Sequence, residues 1–345
     1  MTTESSAALR ERHDALIAAE PQLRIRERAA RLGVSEAELI AADCGVTAIA
    51  LQGAPRELFL ELGKLGRVMA LSRNDHCVHE RHGAYTGIDV GEGPVGLVLG
   101  PDIDLRMFFS SWASAWAVTE HGRHSLQFFD KAGTAIHKVY RTEHTDAAAW
   151  DAYVTRFASE ARPALRLEAF AAPDEADAPE DAAALRAHWL ALEDTHDFFV
   201  MLRKFRVSRL GALAAAGEDL AQQVPDTAVE TLLEAAAARA LPIMCFVGNR
   251  GIVQIHTGPV SRLQRTGPWF NVLDADFNLH LDTRAITSCW VVNKPTRDGW
   301  VTSLEVYAAS GEMIVQFFGA RKPGAPELPA WRELLQGLCP EPLAA

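Results

Sequence analysis

The sequence predicts an α+β fold made by tandem duplication, each copy a set of helices followed by a large antiparallel β-sheet. Three observations predict it. Helix-period segments open the chain, an alternation of period two takes over from about Thr47, and the pattern then returns after about 174–178 residues. Ala7-Ala8-Leu9-Arg10 recurs as Ala183-Ala184-Leu185-Arg186, and Arg67-Val68-Met69-Ala70 with Asn74 as Pro242-Ile243-Met244-Cys245 with Asn249. Asp102–Arg106 aligns with Asp276–His280, Trp116-Ala117-Val118 with Trp290-Val291-Val292, and Ser125-Leu126-Gln127 with Ser303-Leu304-Glu305. The chain therefore divides into an N-terminal repeat (1–162), an acidic Ala/Pro linker (163–182) and a C-terminal repeat (183–345).

Residues 5–44 read as helices broken at Pro21. Ala29–Ser35 has the look of a DNA-binding helix-turn-helix, but Glu36, Glu38 and Asp43 oppose phosphate, so a Ser-capped helical hairpin is the simpler reading. The β pattern follows in VTAIAL, RVMALS, VGLVLG and ASAWAVTE, punctuated by Gly and Asn/Asp. Gly91–Gly96 matches GxGxxG literally. Pro94 interrupts it and strand-like residues follow, so it reads as a hairpin loop and not as a dinucleotide site. His76, Cys77, His79 and His82 offer donors for a metal, yet their spacing fits no standard zinc pattern and a solvated strand and turn is simpler. Asp146 is placed to cap a helix reaching Phe157.

Composition narrows the function. A net charge of −11 argues against general affinity for nucleic acid or anionic membrane. Five scattered cysteines without a CxxC pair suit a reducing compartment, the N-terminus is too polar for a signal peptide, and no apolar run approaches a membrane span. The expectation is a soluble, cytoplasmic protein.

The stretch Asp194–Arg209 is the densest candidate site. At helical spacing Phe199, Val200 and Arg203 fall on the side of His196, and Phe198, Met201 and Leu202 are expected to broaden the apolar surface around it. Ser208 is a candidate cap for a following helix that begins at Arg209. A histidine backed by aromatics, with arginines two to three turns away, suits a flat, metal-bearing, dianionic ligand. The bland alternative is a core helix with an incidentally buried histidine. The copies differ here, since the first offers Ala19-Glu20-Pro21 in the same region; Arg106 and His280 form another unlike pair.

The segments LGPDIDLRMFFSSW (99–112), THDFF (195–199), IMCFVGNRGIVQIHTGP (243–259), the long run 269–324 and WRELL (331–335) carry a resemblance covering nearly the whole chain. The chain resembles the bacterial hemin-degrading factor family, the cytoplasmic haem-utilisation (hemin transport) proteins of haem-iron acquisition. The resemblance implies haem b between the C-terminal sheet and the helices carrying His196. It makes His196 the axial iron ligand and Arg106 a catalytic arginine on the opposite face. Arg209, Lys294, Gln316 and Arg321 then line the propionate side. Phe318 stands where some members carry tyrosine, and Phe108 and Phe199 are expected as aromatic walls.

That chemistry is coherent: neutral imidazole suits ferric haem, and a guanidinium stays protonated with several donors. Two roles follow. One is degradation of hemin to iron and a linear tetrapyrrole with a donor such as NADH or ascorbate. The other is a non-catalytic carrier handing haem to a separate haem oxygenase. A haem-uptake ABC transporter would be the upstream partner.

Overall fold

The computed structural model describes residues 5–160, 164–322 and 324–345. Helix ends follow the capping chemistry of the sequence. Ser5 caps α1 (Ser6–Ala19) by accepting from the Ala8 N–H. After Pro21 comes α2 (Ile25–Leu32), which closes on Gly33 at φ +70°. Ser35 and Glu38 form a reciprocal capping box at the start of α3 (Glu36–Ala42). Ala29, Ala37, Leu39 and Ile40 of this helical hairpin lie in the core.

The β pattern then resolves into β1 (Ala48–Leu51), α4 (Pro55–Glu61), β2 (Arg67–Arg73), β3 (Cys77–Ala84), β4 (Ile88–Asp89), β5 (Gly96–Leu99) and β6 (Asp104–Met107). It continues as β7 (Trp112–Glu120), β8 (Arg123–Asp130) and β9 (Ala135–Tyr140), closing on α5 (Ala147–Phe157). Asp146 caps α5 as its sequence predicts, accepting from Ala149 N at 3.0 Å.

The same succession returns in the second repeat. It comprises α6 (Ala182–Leu190), α7 (Asp197–Phe205), α8 (Arg209–Ala215), β10 (Ala221–Val224), α9 (Ala228–Ala238), β11 (Ile243–Gly248) and β12 (Ile252–Gly258). Then come β13 (Leu263–Thr266), β14 (Trp269–Leu273), β15 (Phe277–Asp282), β16 (Ser288–Thr296), β17 (Gly299–Tyr307), β18 (Met313–Gly319) and α10 (Pro329–Gln336). The duplication is thus a structural fact, element for element.

Two compact units result. The first comprises Met1–Arg73, Glu80–Ala171 and Gly248–Gln254; the second comprises Asn74–His79, Ala172–Val247 and Ile255–Ala345. Each takes in a short hairpin segment from the sequence of the other repeat, which the division at 162/163 does not anticipate. Pro163, where the expected linker begins, lies outside the described residues. From Ala164 to Glu175 the linker carries neither helix nor strand, and Ala176 then forms a bridge with Val207.

Within the first unit the strands run β1-β7-β8-β9-β2 and on to β3, all antiparallel where the register is recorded; within the second they run β10-β16-β17-β18-β11 and on to β12. Asn74 and Asn249, aligned in the sequence, occupy equivalent hairpin turns. Asn249 accepts from Gly251 N at 2.9 Å and donates from Nδ2 to the carbonyls of Arg73 and Ile136. Asn74 accepts from Cys77 N and donates to the Ile314 carbonyl at 2.8 Å.

Strand alternation gives the second sheet two different faces. One carries Cys245, Val291, Leu304, Val306 and Phe317, packed under Leu232 and Leu233 of α9 and Trp331 and Leu335 of α10. The other carries Val292 and Tyr307, packed under α6–α8 through Leu185, Trp189, Phe198, Met201 and Leu213. These helices cover the second face only partly: Met244, Phe246, Gln316 and Phe318 stay half-buried. That partly open face is where the candidate site lies.

Candidate functional site

His196 is the residue immediately before α7, and its side chain is 88% exposed. Asp194 holds it twice: Oδ1 accepts from the His196 backbone N–H at 2.8 Å and from Nδ1 at 2.6 Å. The backbone N–H is the chief cause that keeps the Asp194 carboxyl below its usual range. With Nδ1 engaged, Nε2 is the nitrogen left to meet a ligand.

The helix continues with Phe199 (62% exposed), Val200 and Arg203 on the solvent side. Phe198, Met201 and Leu202, expected around His196, instead turn into the core. Both sides of this short helix are apolar, so periodicity alone did not fix its phase. The counterpart of His196 in the first repeat is Arg24, which precedes α2, rather than Ala19–Pro21.

After α7, Arg206 adopts φ +48° and Ser208 caps α8, its Oγ accepting from Gly211 N at 3.1 Å. Arg209 therefore starts α8 and aims at the sheet. The register puts Trp290, Glu305, Gln316 and Phe246 in one row across four strands, with Val292, Ser303, Phe318 and Met244 in the next. Directly opposed residues share a face.

Glu305 is the centre of this face and is fully buried. Arg209 bonds both of its oxygens, at 2.6 and 2.8 Å. Lys294 lies 3.0 Å from Oε1, Gln316 Nε2 donates to it at 2.7 Å, and Ser303 and Tyr307 donate their hydroxyls. Burial pushes the Glu305 carboxyl up, but Arg209 and Lys294 outweigh it and hold it well below the usual range. Burial pulls Lys294 down to about 8, opposed by Glu305 and helped by Arg209.

So Arg209, Lys294 and Gln316, expected as separate propionate contacts, are brought together on one carboxylate. Two cations against one carboxylate leave one positive charge in a buried cluster. The centroid of the Phe198 ring lies 4.7 Å from the Arg209 guanidinium carbon and 4.6 Å from Lys294 Nζ. Arg321 stands apart from that cluster. Its Nη2 is 3.6 Å from Asp298, while Nη1 is buried with no partner among the described residues. Trp290 Nε1 is likewise buried without one. Phe318 meets Phe246 edge-on at 5.1 Å.

Arg106 and Phe108 belong to the first unit. Arg106, on β6, is half-buried, pairs with Asp104 and donates to the Leu105 carbonyl. Phe108 is half-buried and its N–H donates to Gly251 O at 2.8 Å. His79 and His82 point to opposite faces of β3, and His79 is buried against Phe277. Among the described residues no group of three His, Cys, Asp or Glu is placed to hold a metal ion, and this holds for the alternative His76/Cys77/His79/His82 metal set. The Gly91–Gly96 segment is the β4–β5 hairpin loop, and its carbonyls at Val90, Gly91 and Gly93 grip the Arg56 guanidinium. A cavity of about 570 Å³ opens in the first unit beside His13, Arg28 and Asp43 and includes none of the expected site residues.

The family model for the haemin-degrading HemS.ChuX domain matches this chain twice, at residues 33–157 and 206–338. The chain belongs to the haemin-degrading HemS.ChuX family. Hemin transport protein HmuS of Yersinia pestis is 42% identical over 325 residues, covering 93% of this chain and 94% of the relative. The holo crystal structure of PhuS, a heme-binding protein from Pseudomonas aeruginosa, superposes with a TM-score of 0.94 at 47% identity, covering 97% of this chain and 99% of that one. The crystal structure of ChuS, an E. coli heme oxygenase, superposes at 0.88 with 35% identity, covering 96% of this chain and 99% of that one.

In a HemS.ChuX chain the residues present can be tested against haem, and they fit it. A half-buried aromatic face suits a flat macrocycle, an exposed imidazole with Nε2 available suits iron, and the spare buried charge with the orphaned Arg321 Nη1 suits carboxylates. Glu305 is not among the residues expected at the site. Its signal was present, because Glu305 aligns with the neutral Gln127 of the first copy. Asp194, which opens the candidate stretch two residues before His196, has no expected role there either. No helix among the described residues is long and apolar enough to cross a membrane.

Proposed function

We propose that this chain binds ferric haem through His196 and, supplied with a reductant, degrades it to iron and a linear tetrapyrrole. The observation that carries the reading is the exposed His196–Asp194 pair, whose hydrogen bond engages Nδ1 and keeps Nε2 available outside the core. Bound haem would supply the redox chemistry with oxygen. The chain's own residues bind and orient. His196 donates its lone pair, Phe199, Phe246 and Phe318 offer apolar surface to the macrocycle, and Arg321 with the Arg209–Lys294–Glu305 cluster attracts the propionates. Arg106, with several guanidinium N–H donors, is the group assigned to orient the oxidant. On this reading the chain acts in haem-iron acquisition in the cytoplasm and receives haem from an uptake transporter.

A carrier reading has one specific support. PhuS, at 47% identity, is described as a heme-binding protein, whereas ChuS, described as a heme oxygenase, is at 35%. The experiment that separates the two follows the Soret band of haem-loaded protein in air after NADH or ascorbate is added, with catalase and a free-haem blank. Loss of the band with a linear tetrapyrrole appearing in the catalase-treated sample establishes degradation. A band that persists until a haem acceptor is added establishes a carrier.

A further inference from the structure

We propose that Asp194 is a positioning residue, which presents Nε2 of His196 to haem iron as a pre-oriented and electron-rich ligand. The inference rests on the haem reading of His196. One oxygen, Asp194 Oδ1, accepts from the His196 backbone N–H at 2.8 Å and from its ring Nδ1 at 2.6 Å. A carboxylate can only accept, so the ring proton sits on Nδ1 and the lone pair on Nε2.

The short loop between the two residues is fixed because the helix starts there. Asp197 N bonds Asp194 O at 3.1 Å and Phe199 N bonds His196 O at 3.3 Å. The two side chains are 60% and 88% exposed, so packing does little to hold the imidazole, and this contact does the orienting. An exposed ring otherwise samples several staggered χ1 wells. A carboxylate on the far nitrogen also raises the basicity of the nitrogen that meets the metal.

A helix-capping role alone would need only the backbone contact, as in an ordinary Asx turn. The second contact, to the ring, is what capping does not require. Asp194→Asn separates the two roles, because its amide oxygen still accepts from the backbone N–H while the charge is gone.

The test uses the full chain. Hemin affinity is measured by Soret titration, the iron–histidine stretch of the ferrous form by resonance Raman, and the midpoint potential by spectroelectrochemistry. Asp194→Asn is expected to bind hemin about tenfold more weakly, with the stretch at lower frequency and the potential more positive, while circular dichroism and thermal melting match the parent. Parent-like affinity, stretch and potential in Asp194→Asn overturn the inference. His196→Ala is run beside it. Loss of the parent Soret spectrum there, with no change in Asp194→Asn, discards Asp194 alone; a parent spectrum in His196→Ala discards the haem reading of His196 and this inference with it.

Discussion

Arg209 forks onto Glu305, Nη2 to one carboxylate oxygen at 2.6 Å and Nε to the other at 2.8 Å. The first repeat holds an ion pair at the same place with its polarity reversed. Glu36 starts α3 as Arg209 starts α8, and it pairs with Lys138, which faces Gln127 in the register where Gln316 faces Glu305. Both pairs are buried, at 8% and 5% exposure in the first repeat and 14% and 0% in the second. The second repeat adds Lys294, so that two cations share the single Glu305 carboxylate.

Glu305→Gln removes the one anion between Arg209 and Lys294, and breaking such a buried set costs about 3–5 kcal/mol. Urea unfolding should show that loss at neutral pH; a difference below about 1 kcal/mol would sink the account. The sign with pH is fixed by the depressed carboxyl. Its stabilisation is complete above the ordinary carboxyl value of 4.5 and is lost as pH falls towards its depressed folded value. The gap between parent and variant should therefore shrink as the solution is acidified below 4.5.

Lys294 behaves in the opposite sense. Burial lowers it from 10.5 to about 8, so between those values the folded protein binds fewer protons than the unfolded chain. Its contribution is unfavourable below about 8 and disappears above 10.5, so parent stability should climb relative to Lys294→Met across that window. Lys294 faces Glu305, Arg209 and the Phe198 ring. Once it is neutral, hemin affinity should fall in the parent and stay flat in Lys294→Met. A parallel decline in both proteins would remove Lys294 from propionate binding.

Arg321 and Arg209 should separate ligand binding from stability. The buried Nη1 of Arg321 has no partner among the described residues, so Arg321→Met should change apo stability little. It should weaken hemin binding by about 1.5–3 kcal/mol, the worth of a hydrogen bond to a charged group. Arg209→Met should instead lower the melting temperature markedly, because it removes two charge-assisted bonds from the buried Glu305 carboxylate and leaves Lys294 to balance it. Equal effects of the two on apo stability would contradict the division.

Arg106→Ala tests the catalytic assignment. Hemin should still bind with the parent axial-histidine spectrum, while the rate of reductant-driven Soret loss changes. Unaltered turnover would leave Arg106 as a strand residue paired with Asp104.

What was legible in the sequence was local. Ser208 and Asp146 declare helix starts within three residues of themselves, and Asn74 and Asn249 mark equivalent turns because the duplication repeats them. The ion cluster was not, since Arg209 and Glu305 are 96 positions apart and only the pairing of β16, β17 and β18 brings them to one face. The phase of α7 failed for another reason: Phe198 and Phe199 are chemically alike, and tertiary packing chose which was buried. His79 and His82 could have been separated on strand alternation alone.

The closed pair of the first repeat has an evolutionary consequence. Lys138 and Glu36 neutralise each other and leave no charge over, so selection can exchange them together for apolar residues of similar volume at little or no cost. Arg209, Lys294 and Glu305 have no such freedom, because swapping them out erases the surplus charge. Across descendants of this duplicated gene the two ion pairs should diverge at different speeds, the first drifting as a couple and the second held residue by residue.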